Sequence, residues 1–307
     1  MKINGVSVED TFAEAFGMWG ARAVITGRTQ AWAREAATKM TGFATSVIGC
    51  KCEAGIEGDR PADATPDGRP GTSVLLFAFD RDGLEKRMVE RIGQCVLTCP
   101  TTAAFDGLPD AEERISVGGQ LRYFGDKHQI SKLLGGRRFW RVPVMEGEFV
   151  VEETFGARPA VGGGNFLILG ESAEAALAAA ERAVEAMQAV PDMILPFPGG
   201  IVRSGSKVGS RHYSLPATTN DAYCPTLRAR VDSALPDGVD SVLEIVIDGL
   251  TEEAVAEAMR VGIRAACRPG VHSISAGNYG GDLGQYTLQL HELLARPSTA
   301  GSGGEVL

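Results

Sequence analysis

The sequence predicts an α+β fold of two duplicated lobes, each a split βαββαβ sandwich of ferredoxin-like type with its helices on one face of a sheet. Three observations predict it. A strand–helix–strand pattern recurs along the chain. The helical stretches carry apolar stripes at helical spacing, two of them behind a capping residue. The 307 residues suit two domains at the usual ~100–200 residues each.

The first clear unit is residues 73–99, SVLLFAFDRDGLEKRMVERIGQCVLTC. It reads as an apolar β-rich run, an Asp/Gly turn, a helix with Leu84, Met88 and Ile92 on one stripe, and Val96 and Leu97 opening the next strand. Residues 165–201 repeat the pattern, with Ser172 as helix cap and Leu177, Ala180, Val184 and Met187 facing the core. Residues 242–278 repeat it again, with Thr251 as cap and Val255, Met259 and Ile263 on the stripe. A fainter copy has a strand at 23–25, a helix at 30–40 and a strand at 44–48. Two units per half divide the chain into an N-terminal lobe, 1–146, and a C-terminal lobe, 147–295. The intervening stretches 58–71 and 106–119 read as a turn-rich excursion and a polar connection. The final RPSTAGSGGEVL, 296–307, has no core positions and reads as a disordered tail.

Composition narrows the function. Thirty Lys and Arg against 39 Asp and Glu give a net charge of -9, a field that repels nucleic acid. Glu9 and Asp10 fall where a signal peptide needs an apolar run, and the longest apolar runs, 74–79 and 175–180, are far short of a membrane span. These features predict a cytoplasmic protein. Six cysteines without a CxxC pair and four histidines without HxxxH spacing predict buried, reduced thiols and no metal site. His212 and His272, flanked by loop residues, read as structural or exposed.

Glycine is in excess, 39 residues, and clustered. GGGN at 162–165 precedes its strand, which is the wrong order for a dinucleotide fingerprint, and no GxxxxGK[ST] loop occurs, so no nucleotide site is expected. Gly199–Gly200 and Gly280–Gly281 follow strands in equivalent units, where backbone turns sharply or approaches a ligand closely. The first pair leads into PFPGGIVRSGSKVGSRHYSLPATTNDAYCPT, 196–226, the densest run of donors in the chain. Its Arg203, Lys207 and Arg211, interleaved with Ser204 and Ser206 and followed by Asn220, Asp221 and Tyr223, form a candidate anion site. Ser204 and Lys207 also spell SxxK, but the companion SDN and KTG motifs of penicillin-recognising enzymes are absent. Glu244 interrupts the apolar strand VLEIVIDG. Buried there, its carboxyl would titrate near neutrality; alternation also puts Val242, Glu244, Val246 and Asp248 on one face, which could equally be solvated.

Nine segments spread over residues 1–295 carry a family resemblance: NGVSVEDTFAEAF, ATKMTGFATSVIGCKCEAGI, TPDGRPG, RIGQCVLTCPT, VMEGEFVVEETFG, GGGNFLILGES, PFPGGIVRSGSKVGS, TNDAYCPT and AMRVGIRAACRPGVHSISAGNYGGDLGQY. The chain resembles formylmethanofuran:tetrahydromethanopterin formyltransferases. Its modest acidity and Ala/Arg-rich helices are closest to the bacterial methylotroph form, the formyltransferase component of a formyltransferase/hydrolase complex. The resemblance implies formyl transfer between N5 of tetrahydromethanopterin and the primary amine of methanofuran or methylofuran, as carrier substrates, in the oxidation of formaldehyde to formate. It also implies a homotetramer with the cleft at an interface between copies, hydrolase subunits as partners, and Glu244 as the acid/base. Ser204, Ser206, Asn220 and the amides of Gly199–Gly200 are then candidate oxyanion or pterin contacts, and Arg203, Lys207 and Arg211 would hold the acidic tails of the carriers. Two other activities fit the residues: a non-catalytic carrier-binding or assembly subunit, and a Ser/Lys amidohydrolase acting at Ser204.

Overall fold

A computed structural model describes residues 1–296. The expected tail therefore lies, beyond Arg296, outside the described residues. The chain gathers into two compact units, Met18–Ala160 and Met1–Gly17 with the residues from Val161 onward. Their boundaries fall within the long strands Phe12–Thr26 and Thr154–Gly170.

In the unit Met18–Ala160, the strand ending at Thr26 leads into the helix Gln30–Thr41, then the strands Glu53–Arg60 and Gly71–Ala78, the helix Arg81–Arg91 and the strand Ala103–Asp106. Gly71–Ala78 lies antiparallel between Glu53–Arg60 and the first strand, whose other edge takes Ala103–Asp106. Numbered within the unit, the order is 4-1-3-2, the split βαββαβ arrangement. Three strands continue this sheet: Gly147–Glu152 parallel to Ala103–Asp106, then Arg137–Val144 and Ile130–Leu134.

The other unit repeats the order. The end of Thr154–Gly170 is the first strand, followed by the helix Ala173–Met187, the strands Met193–Ile194 and Ser241–Gly249, the helix Glu252–Ala266 and the strand Val271–Ser275. Ser241–Gly249 lies between Met193–Ile194 and the first strand, and Val271–Ser275 takes the far edge, where Val6–Val8 adds in parallel. Each unit has its own core, around Ile25, Leu76, Met88 and Phe149 in one and Phe166, Ile245, Met259 and Ile274 in the other. All four helices begin at a side chain, Thr29, Asp80, Ser172 or Thr251, that accepts an orphan N–H of the first turn.

Several local expectations change. Leu177 is 46% exposed, and the buried stripe of its helix is Ala176, Ala179, Ala180, Ala183 and Met187. Small residues win that face because the helix Glu252–Ala266 approaches closely: a Cβ on Gly262 would stand 2.7 Å from Met187 Sδ. Val96 and Leu97 do not open a strand; they continue the preceding helix through a π-turn in which Leu97 N–H donates to Ile92 O at 2.9 Å. The strand expected at 44–48 is displaced to Glu53–Arg60, and Val47–Cys50 is a helical turn whose Val47 N–H donates to Glu53 Oε1 at 2.9 Å. The polar connection contains a short strand, Glu113–Ser116. The glycines of GGGN lie inside Thr154–Gly170 and do not precede it.

Candidate functional site

The second unit carries a long excursion, residues 195–240, between its second and third strands. It decides what happens to Glu244. In the strand Ser241–Gly249, Ile245 and Ile247 enter the core, so alternation turns Glu244 to the opposite sheet face. That face is covered. Val202 bridges the edge of the strand through Val202 N–H to Glu244 O at 2.8 Å and Glu244 N–H to Val202 O at 3.0 Å. Leu235 and Val239 pack with Leu167, Leu169, Val242 and Tyr223. Glu244 is left 4% exposed, its Oε1 accepting the Ser206 hydroxyl at 2.5 Å and its Oε2 buried with no hydrogen-bond partner. Burial pushes its pKa up to about 7 against the opposing pull of Ser206. Such a carboxyl can accept and return a proton at neutral pH.

A pocket of about 40 Å³ opens beside it, lined by Arg203, Ser204, Asn220, Tyr223 and Cys224 together with apolar neighbours such as Leu167 and Val242. Of the sequence-predicted residues, Glu244, Ser206, Arg203, Ser204, Asn220 and Tyr223 therefore gather in one place. Arg203 is exposed and carries no ion pair among the described residues. The Ser204 hydroxyl donates to Gly205 O at 3.1 Å.

The remaining predicted residues do other things. Lys207 pairs with Asp221, which holds that carboxyl below its usual range, and Arg211, largely exposed, is 3.8 Å from the same group. Lys207 is thus bonded to Asp221, while Arg211 only approaches it. Gly199 and Gly200, at φ 64° and 78°, turn the chain. A Cβ on Gly200 would meet Leu195 and Val184 inside 3 Å, and its N–H already donates to Phe197 O at 2.8 Å. The Gly200 amide is thus already bonded, and neither glycine lines the Glu244 pocket. His212 and His272 are exposed.

Sequence reasoning missed Tyr279, whose hydroxyl donates to Ser206 O at 3.1 Å and accepts from Val208 N–H at 3.2 Å. The only signal was an aromatic between glycines in GNYGGDLGQY. Cys224 was also passed over because thiols pack as small hydrophobes. Among the described residues no three His, Cys, Asp or Glu side chains are grouped to hold a metal, and no helix is long and apolar enough to cross a membrane.

Comparison with known proteins supplies the family. The model described as formylmethanofuran-tetrahydromethanopterin formyltransferase matches residues 1–144, and the one described as its proximal lobe matches 147–293. The formylmethanofuran–tetrahydromethanopterin formyltransferase of Methylococcus capsulatus is 56% identical over 299 residues, covering 96% of this chain and all of the relative. One subunit of the formyltransferase/hydrolase complex of Methylorubrum extorquens is 53% identical over 306 residues, covering 96% of this chain and 98% of that protein. A chain in the crystal structure of that complex, FhcABCD with methylofuran, superposes with a TM-score of 0.94 over 97% of this chain and 99% of its own length, at 53% identity. With both halves matched and relatives covering nearly its whole length, this chain belongs to the formylmethanofuran–tetrahydromethanopterin formyltransferase family.

Proposed function

We propose that this protein is a formyltransferase that moves a formyl group between N5 of tetrahydromethanopterin and the primary amine of methanofuran or methylofuran, with Glu244 as the proton-transferring group. The observation that carries the role of Glu244 is its buried, unpartnered Oε2 on a carboxyl with pKa about 7. In the direction towards the furan, the amine nitrogen attacks the formyl carbon, a C–N bond forms and the formyl oxygen takes the negative charge. The amine proton passes to Glu244. Glu244 then returns it to N5 of the pterin as the bond from N5 to the formyl carbon breaks, so the carboxyl ends as it began. Ser204 and Asn220, which line the Glu244 pocket, are side-chain donors available to the oxyanion, and Ser206 holds Oε1, leaving Oε2 to take the proton. Arg203 offers an uncommitted charge to the acidic tail of a carrier.

The Ser/Lys reading is disfavoured by Lys207, whose Nζ bonds Asp221 and not Ser204. An M. extorquens homologue is a subunit of a formyltransferase/hydrolase complex, which supports the further proposal that this protein docks with hydrolase subunits; a homotetramer and a cytoplasmic location are proposed alongside it. The test of the activity mixes purified protein with formyl-tetrahydromethanopterin and the furan amine and follows pterin absorbance. Amine-dependent loss of the formyl group, largely abolished by Glu244→Gln, is expected. Unchanged turnover in that variant removes the mechanism; no turnover in the wild type favours the assembly-subunit reading; an acyl-serine seen by mass spectrometry favours the hydrolase.

A further inference from the structure

We propose that Tyr279 is a positioning residue for Glu244, and that Glu14 is the buried anchor that keeps Tyr279 in place. The inference rests on the reading of Glu244 as the proton-transferring group.

Glu14 lies within the strand Phe12–Thr26 and is 1% exposed. Its carboxylate faces the loop after the strand Val271–Ser275 and is surrounded by that loop's amides. Oε1 accepts from Leu283 N–H and Gly284 N–H, both at 2.9 Å, and Oε2 accepts from Gly281 N–H at 3.1 Å and from Tyr279 N–H. Burial alone would raise its pKa, but these four donors outweigh it and hold the group below its ordinary range, as a charged carboxylate. An isolated buried carboxylate is costly, and one that collects four backbone donors becomes a rigid hub. The loop needs such a hub at its tip, where Gly280 and Gly281 sit at φ 78° and 87°, values non-glycine residues rarely adopt.

The side chain this loop presents is Tyr279. Its hydroxyl bonds backbone on both sides of Lys207, the Ser206 carbonyl and the Val208 N–H, and so clamps the segment that carries the Ser206 hydroxyl. That hydroxyl is the one side-chain donor to the Glu244 carboxyl among the described residues. The segment's own regular structure is the two-residue strand Lys207–Val208. A chain of contacts therefore runs from Glu14 through the loop amides to Tyr279, to the Ser206 backbone and to Glu244. The ionisable groups facing Glu244 are Arg203, Tyr223 and Cys224 around the pocket and Tyr279 behind Ser206, with Glu14 beyond it.

The test uses the full chain, free of carriers, with glutamate labelled with carbon-13 at the side-chain carboxyl, and titrates the Glu244 resonance, assigned by its loss in Glu244→Gln. The wild type is expected to titrate at about 7. Ser206→Ala removes a donor that favours the charged form, so its midpoint rises. Tyr279→Phe keeps the ring and releases the clamp, so its midpoint rises in the same direction, and kcat falls by about tenfold with KM for both carriers little changed. Glu14→Gln is expected to follow Tyr279→Phe; should it fail to fold, Tyr279→Phe alone decides. A Tyr279→Phe variant whose Glu244 titration and kcat coincide with the wild type overturns the proposal, whatever its melting temperature. If Glu244→Gln transfers formyl at the wild-type rate, it is the proton-transfer reading that fails, and the titration still decides whether Tyr279 positions the carboxyl.

Discussion

The two ferredoxin-like units place a serine–glutamate hydrogen bond around the same register position and use it differently. Glu244 pairs with Leu167, five residues ahead of the helix cap Ser172, and Ser73 pairs with Val24, five residues ahead of the cap Thr29. In one unit the Ser206 hydroxyl donates to Glu244 at 2.5 Å; in the other the Ser73 hydroxyl donates to Glu57 at 2.6 Å. Glu57 occupies the irregularity between Ile56 and Gly58 and is gripped by Arg22 through two bonds, at 2.8 and 2.6 Å, and by Arg60 at 3.2 Å. No cation bonds Glu244 among the described residues. The connection between second and third strands also differs, 61–70 in one unit against 195–240 in the other. A neutralised carboxylate serves the fold, whereas a buried one without a cation keeps its proton near neutral pH and serves chemistry.

Exchanging the two glutamates in turn tests this contrast. Glu244→Gln should slow formyl transfer by about 10²–10⁴ in kcat, the usual worth of a general acid/base, without lowering the melting temperature. Glu57→Gln should do the opposite: a stability loss of about 3 kcal/mol by denaturant titration, from breaking its buried ion pair with Arg22, with kcat per folded molecule unchanged.

A third expectation sharpens the contrast through pH. The folded pKa of Glu244, about 7, lies above its ordinary 4.5. Below pH 4.5 the group is protonated in both states and its stability contribution is fully present. Between 4.5 and 7 the unfolded chain ionises first, so stability is lost as pH rises, up to about 3 kcal/mol at ~1.4 kcal/mol per pKa unit. Glu244→Gln removes that dependence, so thermal unfolding should find the variant more stable above pH 7, with the gap closing towards pH 4.5. The smallest effect concerns packing beneath the site. Gly262→Ala puts a methyl against Met187 and Phe166 and should cost about 1–3 kcal/mol, with formyl transfer retained.

Much of the fold was legible because its signals are local. Four strand–helix–strand units, caps such as Ser172 and Thr251, and the interruption of VLEIVIDG by Glu244 are each visible within a window of a few turns. The misreadings come where distant chain segments decide. Leu177 looked like a core residue until the neighbouring helix, glycine at 262, favoured an alanine face. Whether the Glu244 face was wet or dry depended on Val202, Leu235 and Val239 folding back over it. The pairing of Lys207 with Asp221, fourteen residues further on, leaves no local mark in the polar stretch. Glu14 and Tyr279, 265 residues apart, gave no shared signal at all.

The most direct measurement is the pH profile of amine-dependent formyl transfer at saturating carriers, wild type against Glu244→Gln. The account predicts an inflection near pH 7 in the wild type that disappears, along with most of the rate, in the variant. A variant that keeps both the inflection and the rate would contradict it.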